Sequence, residues 1–268
     1  MGKGQSAGID AGQYTQCDKG HLVGWNHPRG VASASLILAH GAGAPMDSPF
    51  MEQMAVRVAA RGVAVCRFEF AYMAARRQGM GRRPPSPQAQ LLAQWREVHA
   101  LVRQQATGPL AIGGKSMGGR MASLLADELE AEALVCLGYP FHPAGKPDKP
   151  RVAHLQGLRT PTLIVQGERD ALGDRERVAQ YPLSPAIALH WLAAADHDLK
   201  PLKRSGLTHE QHLDEAADVI AAFLGGHDLS AIADYPLCCR RDLGRFDGWC
   251  AMERDRCRFL LVSDAKCG

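Results

Sequence analysis

The stretch Leu110-Ala111-Ile112-Gly113-Gly114-Lys115-Ser116-Met117-Gly118-Gly119-Arg120-Met121 joins a short apolar run to a helical pattern through a pentapeptide, Gly114 to Gly118, centred on a serine. A serine presented for reaction on a sharp strand-to-helix turn needs glycines two before and two after it, because side chains there would collide with the flanking elements. The flanks fit that demand. Leu110, Ala111 and Ile112 read as the end of a buried parallel strand, and Met117, Met121, Leu124 and Leu125 recur at helical spacing beyond it. The pentapeptide alone also arises by chance in glycine- and serine-rich loops, so the reading depends on finding partners for Ser116 elsewhere.

Outward from this point, strand and helix signals alternate from about residue 31 to 225, the mark of a mostly parallel, doubly wound sheet flanked by helices. Residues 35–39 read as a strand running into His40-Gly41-Ala42-Gly43-Ala44. Ser48 then stands before a helix opened by Pro49, carrying Phe50, Met54 and Val58 on one face and Gly62 past its end. Residues 63–70 read as the next strand and residues 71–85 as an arginine- and proline-rich loop. Ser86 and Pro87 repeat the helix start ahead of Leu91, Trp95, Val98 and Val102. After the serine helix come strands at 133–137, 162–166 and 187–192. A short helix fits at 152–157, and Thr208 with Gln211 forms a capping box for a last helix ending near Gly225. The interval between the strands at 133–137 and 162–166 is too short for a large lid, which predicts an open site. An edge strand near residues 21–25 suits the pattern, while residues 1–19 carry too little periodicity to assign.

The chain has 268 residues, 46% hydrophobic and 22% charged, values that suit one sizeable core. A net charge of +3, with no basic run interleaved with aromatics, is too mild a basic excess to argue for nucleic acid, so no nucleic-acid partner is expected. The first residues lack a signal-peptide core and no apolar stretch reaches membrane-spanning length, so a cytoplasmic location with no membrane partner is expected. Oligomeric state leaves no trace in the sequence. Of eight cysteines, Cys66 and Cys136 fall in apolar strands and act as small hydrophobes, while Cys238, Cys239, Cys250, Cys257 and Cys267 crowd the tail. The tail lacks paired C-x-x-C spacing, so neither metal nor cofactor is expected.

A serine hydroxyl needs a histidine base, and the histidine needs a carboxylate to hold its tautomer. Open parallel sheets gather such groups at the carboxyl ends of their strands. The strand at 162–166 runs into Gly167-Glu168-Arg169-Asp170, and the strand at 187–192 into Ala195-Asp196-His197-Asp198. Asp170 and His197 are therefore the expected acid and base, with Glu168 the alternative acid. The backbone N–H of Met117 and one from Ala42 or Gly43 are the expected donors to an oxyanion, with His40 bracing that glycine turn. Arg76 and Arg77, with Tyr72, lie where they could receive an anionic substrate, although solvated surface arginines would look the same. His209 and His212 have a metal-compatible spacing without a supporting carboxylate or cysteine. The resemblance of Gly113 to Ser116 to a phosphate-binding loop fails because its first glycine would be Pro109.

Five motifs together, His40-Gly-Ala-Gly-Ala-Pro-Met-Asp-Ser48, Phe68-Glu-Phe70, Gly113 to Arg120, Gln166-Gly-Glu-Arg-Asp170 and Asp196-His-Asp-Leu-Lys-Pro201, resemble the bacterial dienelactone-hydrolase-like branch of the α/β-hydrolases. That branch also resembles the hydrolase-like domains of testis-expressed proteins and of a non-specific-lethal chromatin complex subunit. The resemblance spans roughly residues 20–225. It implies a serine-hydrolase fold of the α/β-hydrolase class with a Ser116–Asp170–His197 triad but no particular substrate; with the short interval that leaves little or no lid, the expected function is cleavage of a small-molecule ester or thioester. An interaction module with little catalysis is the alternative it leaves open. The expected organisation is an N-terminal segment at 1–19, the hydrolase domain at 20–225 and a cysteine-rich extension at 226–268.

Overall fold

The computed structural model describes residues 13–16, 20–81, 83–106 and 108–226. The tail cysteines expected in an extension therefore lie outside the described residues. Eight strands, β1 (Gln13–Gln16), β2 (Leu22–Asn26), β3 (Ala34–Ala39), β4 (Val63–Phe68), β5 (Leu110–Lys115), β6 (Leu134–Leu137), β7 (Thr162–Gly167) and β8 (Ile187–Leu192), form one sheet in the order β1-β2-β4-β3-β5-β6-β7-β8. The pairings of β1 with β2 and of β2 with β4 are antiparallel, and the remainder are parallel. This is the doubly wound α/β-hydrolase architecture.

Strands β3 through β7 are buried along their whole length, as parallel strands covered on both faces must be. Helices α1 (Pro49–Ala60) and α6 (His209–Leu224) pack Met51, Met54, Val58, Leu213, Ile220 and Phe223 onto one face. On the other, α3 (Gln88–Gln105) contributes Leu91, Trp95, Val98 and Val102, and α4 (Met117–Ser123) contributes Met121. From β3 the chain winds to β4 on one side, whereas β5 leads to β6 on the other. The loops leaving β3 and β5 thus diverge at a topological switch point, where parallel sheets open a crevice at their carboxyl ends.

Several local expectations need correction. The arginine-rich segment after β4 is not all loop, because Ala71–Arg77 forms a helix, α2, whose Ala-Tyr-Met-Ala-Ala-Arg-Arg sequence contains strong helix formers. Strand β4 ends at Phe68, since Phe70 already serves as the N-cap of α2. Ser48 occupies the N-cap of α1 without a side-chain capping bond, and α3 starts one residue late, with Pro87 as its N-cap. Thr208 and Gln211 form the complete capping box of α6. A short helix, α5 (Arg175–Val178), follows β7, capped by Asp174. Residues 138–161, where a lid would be inserted, contain only a 3-10 turn at Ala153–Gln156. Among the described residues no helix is long and apolar enough to cross a membrane.

Candidate active site

The turn between β5 and α4 carries Ser116 at φ 51°, ψ −116°, a left-handed conformation that a side chain adopts only under strain. The surroundings show why glycine flanks it. A Cβ on Gly114 would lie 2.6 Å from the Ala39 carbonyl oxygen, and one on Gly118 would lie 2.5 Å from the same atom. The start of α4 is thereby pressed against the end of β3, which brings the loop after β3 beside the serine.

Ser116 Oγ lies 2.9 Å from His197 Nε2, and His197 Nδ1 lies 2.7 Å from Asp170 Oδ2. Three residues separated by up to 81 positions in the chain are thus joined in one hydrogen-bonded line. Asp170 is fully buried. Its Oδ2 also accepts from Gln166 Nε2 at 2.9 Å and its Oδ1 from the Leu172 N–H at 2.8 Å, so the carboxylate is satisfied and fixed. Because the carboxylate accepts, His197 Nδ1 carries the proton, leaving Nε2 to accept from the serine hydroxyl. Glu168 is not brought to the histidine: it binds Arg175 Nη1 and the Ala194 N–H, holding the turn from β8 in place.

The His197 loop is anchored from several sides. Lys115, the residue before the serine, is buried, and its Nζ donates to the His197 carbonyl oxygen at 2.8 Å and pairs with Asp198 at 3.3 Å. Burial lowers its pKa from the usual lysine value, and the nearby Asp198 acts in the opposite direction. Asp196 Oδ1 accepts from the N–H groups of Asp198 and Lys200, while the rings of His209 and His212 reach the carbonyl oxygens of Asp198 and Leu199 at 3.0 Å. The paired histidines of α6 therefore secure the base-bearing loop. Among the described residues no group of histidine, cysteine and carboxylate side chains is placed to hold a metal.

The loop after β3 is equally constrained. His40 is fully buried. Its Nδ1 donates to the Gly41 carbonyl at 2.6 Å, which leaves Nε2 to accept the Phe70 N–H at 3.1 Å. Burial lowers its pKa, in keeping with this neutral bracing tautomer. Tyr72 is buried beneath the loop and donates its hydroxyl to the Ala42 carbonyl at 3.0 Å, its pKa raised by burial. Glu69, whose side chain is wholly buried, accepts the Met46 N–H and pairs with Arg77, which also grips Asp47 through contacts of 2.7 and 2.9 Å.

These contacts show how the expected substrate residues are placed. Arg77 is a loop brace saturated by two carboxylates, with its own pKa raised and that of Asp47 lowered by their bond. Arg76 donates to the Arg83 carbonyl and lies 5.6 Å from the centre of the Tyr72 ring. Arg77 is thus committed within its own loop, Arg76 meets only neutral partners, and Tyr72 supports the loop from below. Of the glycines in the loop after β3, Gly41 is the one nearest the serine. A Cβ on Gly41 would lie 3.7 Å from Ser116 Cβ, whereas Gly43 is exposed with nothing near. Lys115, Gln166, Glu69 and Gly41 were given no role by sequence reasoning, although all four lie inside the quoted motifs, which is the signal that could have pointed to them.

The comparisons with known proteins agree with this architecture. A lidless serine hydrolase from Xanthomonas campestris superposes with TM-score 0.58 at 19% identity, covering 84% of this chain and 96% of its own. A dienelactone hydrolase from Anabaena variabilis gives TM-score 0.59 at 18% identity, covering 81% and 98%. The protein Est1E from Butyrivibrio proteoclasticus with ferulic acid bound gives 0.56 at 16%, covering 79% and 97%. These likenesses concern the fold. A family model described as an alpha/beta hydrolase domain matches residues 32–225, spanning every strand from β3 to β8 and all six helices, and the chain belongs to that family.

Proposed function

We propose that this protein is a serine hydrolase that cleaves a small carboxylic ester or thioester through an acyl-enzyme on Ser116. The observation carrying the proposal is the unbroken hydrogen-bonded line from Ser116 through His197 to Asp170. Ser116 Oγ attacks the substrate carbonyl carbon while His197 Nε2 takes its proton; the carbonyl π pair moves onto oxygen. Collapse of the tetrahedral intermediate breaks the bond to the leaving group, which departs with the proton from His197. Water then attacks the acyl-enzyme with His197 again as base, releasing the acid and restoring the Ser116 hydroxyl. Asp170 holds the ring in the productive tautomer and stabilises the imidazolium.

The developing oxyanion takes the N–H of Met117, one of the first donors of α4, which lack partners within the helix. The second donor is the N–H of Ala42. The Gly41 and Ala42 carbonyls are held by His40 and Tyr72, and a trans peptide directs each N–H opposite its carbonyl. The absence of a sizeable insertion at residues 138–161, together with likeness to a lidless hydrolase, supports a small, open acyl site.

The test is reaction with a neutral fluorophosphonate, followed by mapping of the modified peptide. Labelling of Ser116 that disappears in Ser116→Ala and falls sharply in His197→Ala is expected; a wild-type protein that resists the probe at Ser116 overturns the proposal. A chain-length series of nitrophenyl esters and acyl thioesters then reads the acyl preference, with short groups expected to react best.

A further inference from the structure

Gln166, near the carboxyl end of β7, is fully buried, and both polar atoms of its side chain are engaged. Its Oε1 accepts the Tyr139 N–H at 2.7 Å. Its Nε2 lies 2.9 Å from Asp170 Oδ2, 3.1 Å from the Gly173 carbonyl oxygen and 3.2 Å from the Tyr139 carbonyl oxygen. Chemistry fixes the orientation of this amide. A peptide N–H only donates, so the atom facing it is the oxygen, and the NH2 group then faces three acceptors. One of its protons goes to Asp170, and the other is shared between the two carbonyls.

Asp170 Oδ2 is also the oxygen that takes His197 Nδ1, at 2.7 Å. One carboxylate oxygen thus receives the base and the amide together, while Oδ1 receives the Leu172 N–H. The same amide reaches the segment after β6. Gly138 there sits so close to the base-bearing loop that a Cβ on it would lie 2.8 Å from the His197 carbonyl oxygen, and Tyr139 follows directly. A single side chain accordingly joins the end of β7, the turn at 170–173 and the segment that abuts the His197 loop. An apolar side chain of similar size would leave the Tyr139 N–H, two carbonyls and a carboxylate oxygen each short of a partner. A carboxylate would set a second negative charge against Oδ2 at hydrogen-bond distance.

We propose that Gln166 is the positioning residue for the acid of the triad: its Nε2 holds Asp170 Oδ2 against His197 Nδ1 and stabilises the ionised carboxylate, a role that rests on the hydrolase reading. Gln166 acts only through Asp170, and its donor matters more than its bulk. In Gln166→Glu one oxygen can still take the Tyr139 N–H, but the other faces Asp170 Oδ2 and two carbonyls. The new carboxyl group therefore keeps its proton near neutral pH and donates it there. The proton stays on the new group because an ionised oxygen in that position would face three acceptors, whereas Asp170 retains the donors of His197 and Leu172. Asp170 and His197 are the titratable groups in contact with this position or with its partner, and Lys115, Asp196 and Asp198 are the charged groups of the adjoining loop. Asp174 caps α5 and Arg175 pairs with Glu168. As pH rises the new carboxyl group ionises, and the donor to Asp170 is lost.

The test follows fluorophosphonate labelling of Ser116 and hydrolysis of a short nitrophenyl ester by the full chain from about pH 6 to 9. Beside these, the downfield proton resonance of the His197–Asp170 hydrogen bond is recorded, which needs no turnover. Gln166→Glu is expected to match the wild type within about threefold near pH 6 and to fall about 10- to 100-fold below it as pH rises, with KM little changed. The resonance should fade over the same interval. Gln166→Met, where it folds, should be slow at every pH. Gln180→Glu, the same change at an exposed position, should follow the wild type throughout. A Gln166→Glu protein that equals the wild type at every pH, or is slowed equally at every pH, overturns the proposal, because neither pattern needs a donor to Asp170. A folded Gln166→Met protein with the wild-type rate does the same. Failure of the hydrolase reading looks different: a wild type inert to the probe, with a resonance that Gln166→Glu loses at high pH, discards the hydrolase and keeps the placement of Asp170 by Gln166.

Discussion

Replacing Lys115 by methionine removes the contact between the nucleophile strand and the histidine loop while keeping the side chain's length. The structure sets the magnitude. The charge-assisted bond from Nζ to the His197 carbonyl, at 2.8 Å, is of a kind that contributes about 1.5–3 kcal/mol. The pair with Asp198 adds little, about 0–1 kcal/mol, because the Asp198 side chain is 73% exposed and screened. Against these losses, methionine avoids the desolvation that a buried ammonium suffers, so net stability should fall by only about 1 kcal/mol. For a protein of this size that is about 2–4 °C in Tm. Catalysis should suffer more, since a base displaced by about 1 Å loses about 100-fold in rate. We expect Lys115→Met to lower kcat on a short nitrophenyl ester, and the rate of fluorophosphonate labelling, by about 10- to 100-fold, with KM within about threefold. Asp198→Asn should cost less than about threefold, and Lys115→Arg should recover part of the loss. A Lys115→Met protein with wild-type kcat would refute the argument that this lysine positions the base. So would a loss fully matched by unfolding.

Further outcomes follow from other contacts. Arg77→Met leaves the buried Glu69 carboxylate without its counter-ion and should destabilise by about 2–3 kcal/mol in chemical denaturation, whereas Arg76→Met should cost less than about 1 kcal/mol; equal effects would contradict the bracing role of Arg77. Gly118→Ala drives a Cβ to 2.5 Å from the Ala39 carbonyl, and we expect thermal unfolding to show a loss above about 3 kcal/mol together with loss of Ser116 labelling; a native-like melt would mean the elbow has more room than described. His154, with its pKa depressed to about 4, contributes stability that is fully present above the ordinary histidine value of about 6.5 and is lost as pH falls from there toward 4. Burial of His40 and His99 acts in the same direction. With its partial exposure, His154 should account for about 1–2 kcal/mol between about pH 7 and 4.5, and urea melts of His154→Gln should flatten that slope.

The parts of the site legible in the sequence were those written by local geometry. Gly114 and Gly118 mark a turn with no room for side chains, and Asp170 and His197 fall a few residues after apolar runs that read as strands. The capping box at Thr208 and the apolar spacing of Leu91, Trp95, Val98 and Val102 are local in the same sense. What escaped was set by contacts between distant segments. Arg77 reads as a surface arginine until Glu69 and Asp47 are folded against it, and composition hid the helix that presents it. Lys115 reads as a filler between glycine and serine, and its partner lies 82 residues away. The choice between the N–H groups of Ala42 and Gly43 depended on which peptide the loop after β3 turns toward Ser116, and neither spacing nor composition encodes that.

The claim that Ser116 forms an acyl-enzyme is tested most directly by rapid mixing with a short nitrophenyl ester under acid quench, followed by intact-mass and peptide-mass measurement. The account predicts a burst of nitrophenolate approaching one equivalent per chain and an acyl adduct on the peptide containing Ser116, both absent in Ser116→Ala. Turnover without a Ser116 adduct, or turnover that persists in Ser116→Ala, would contradict it.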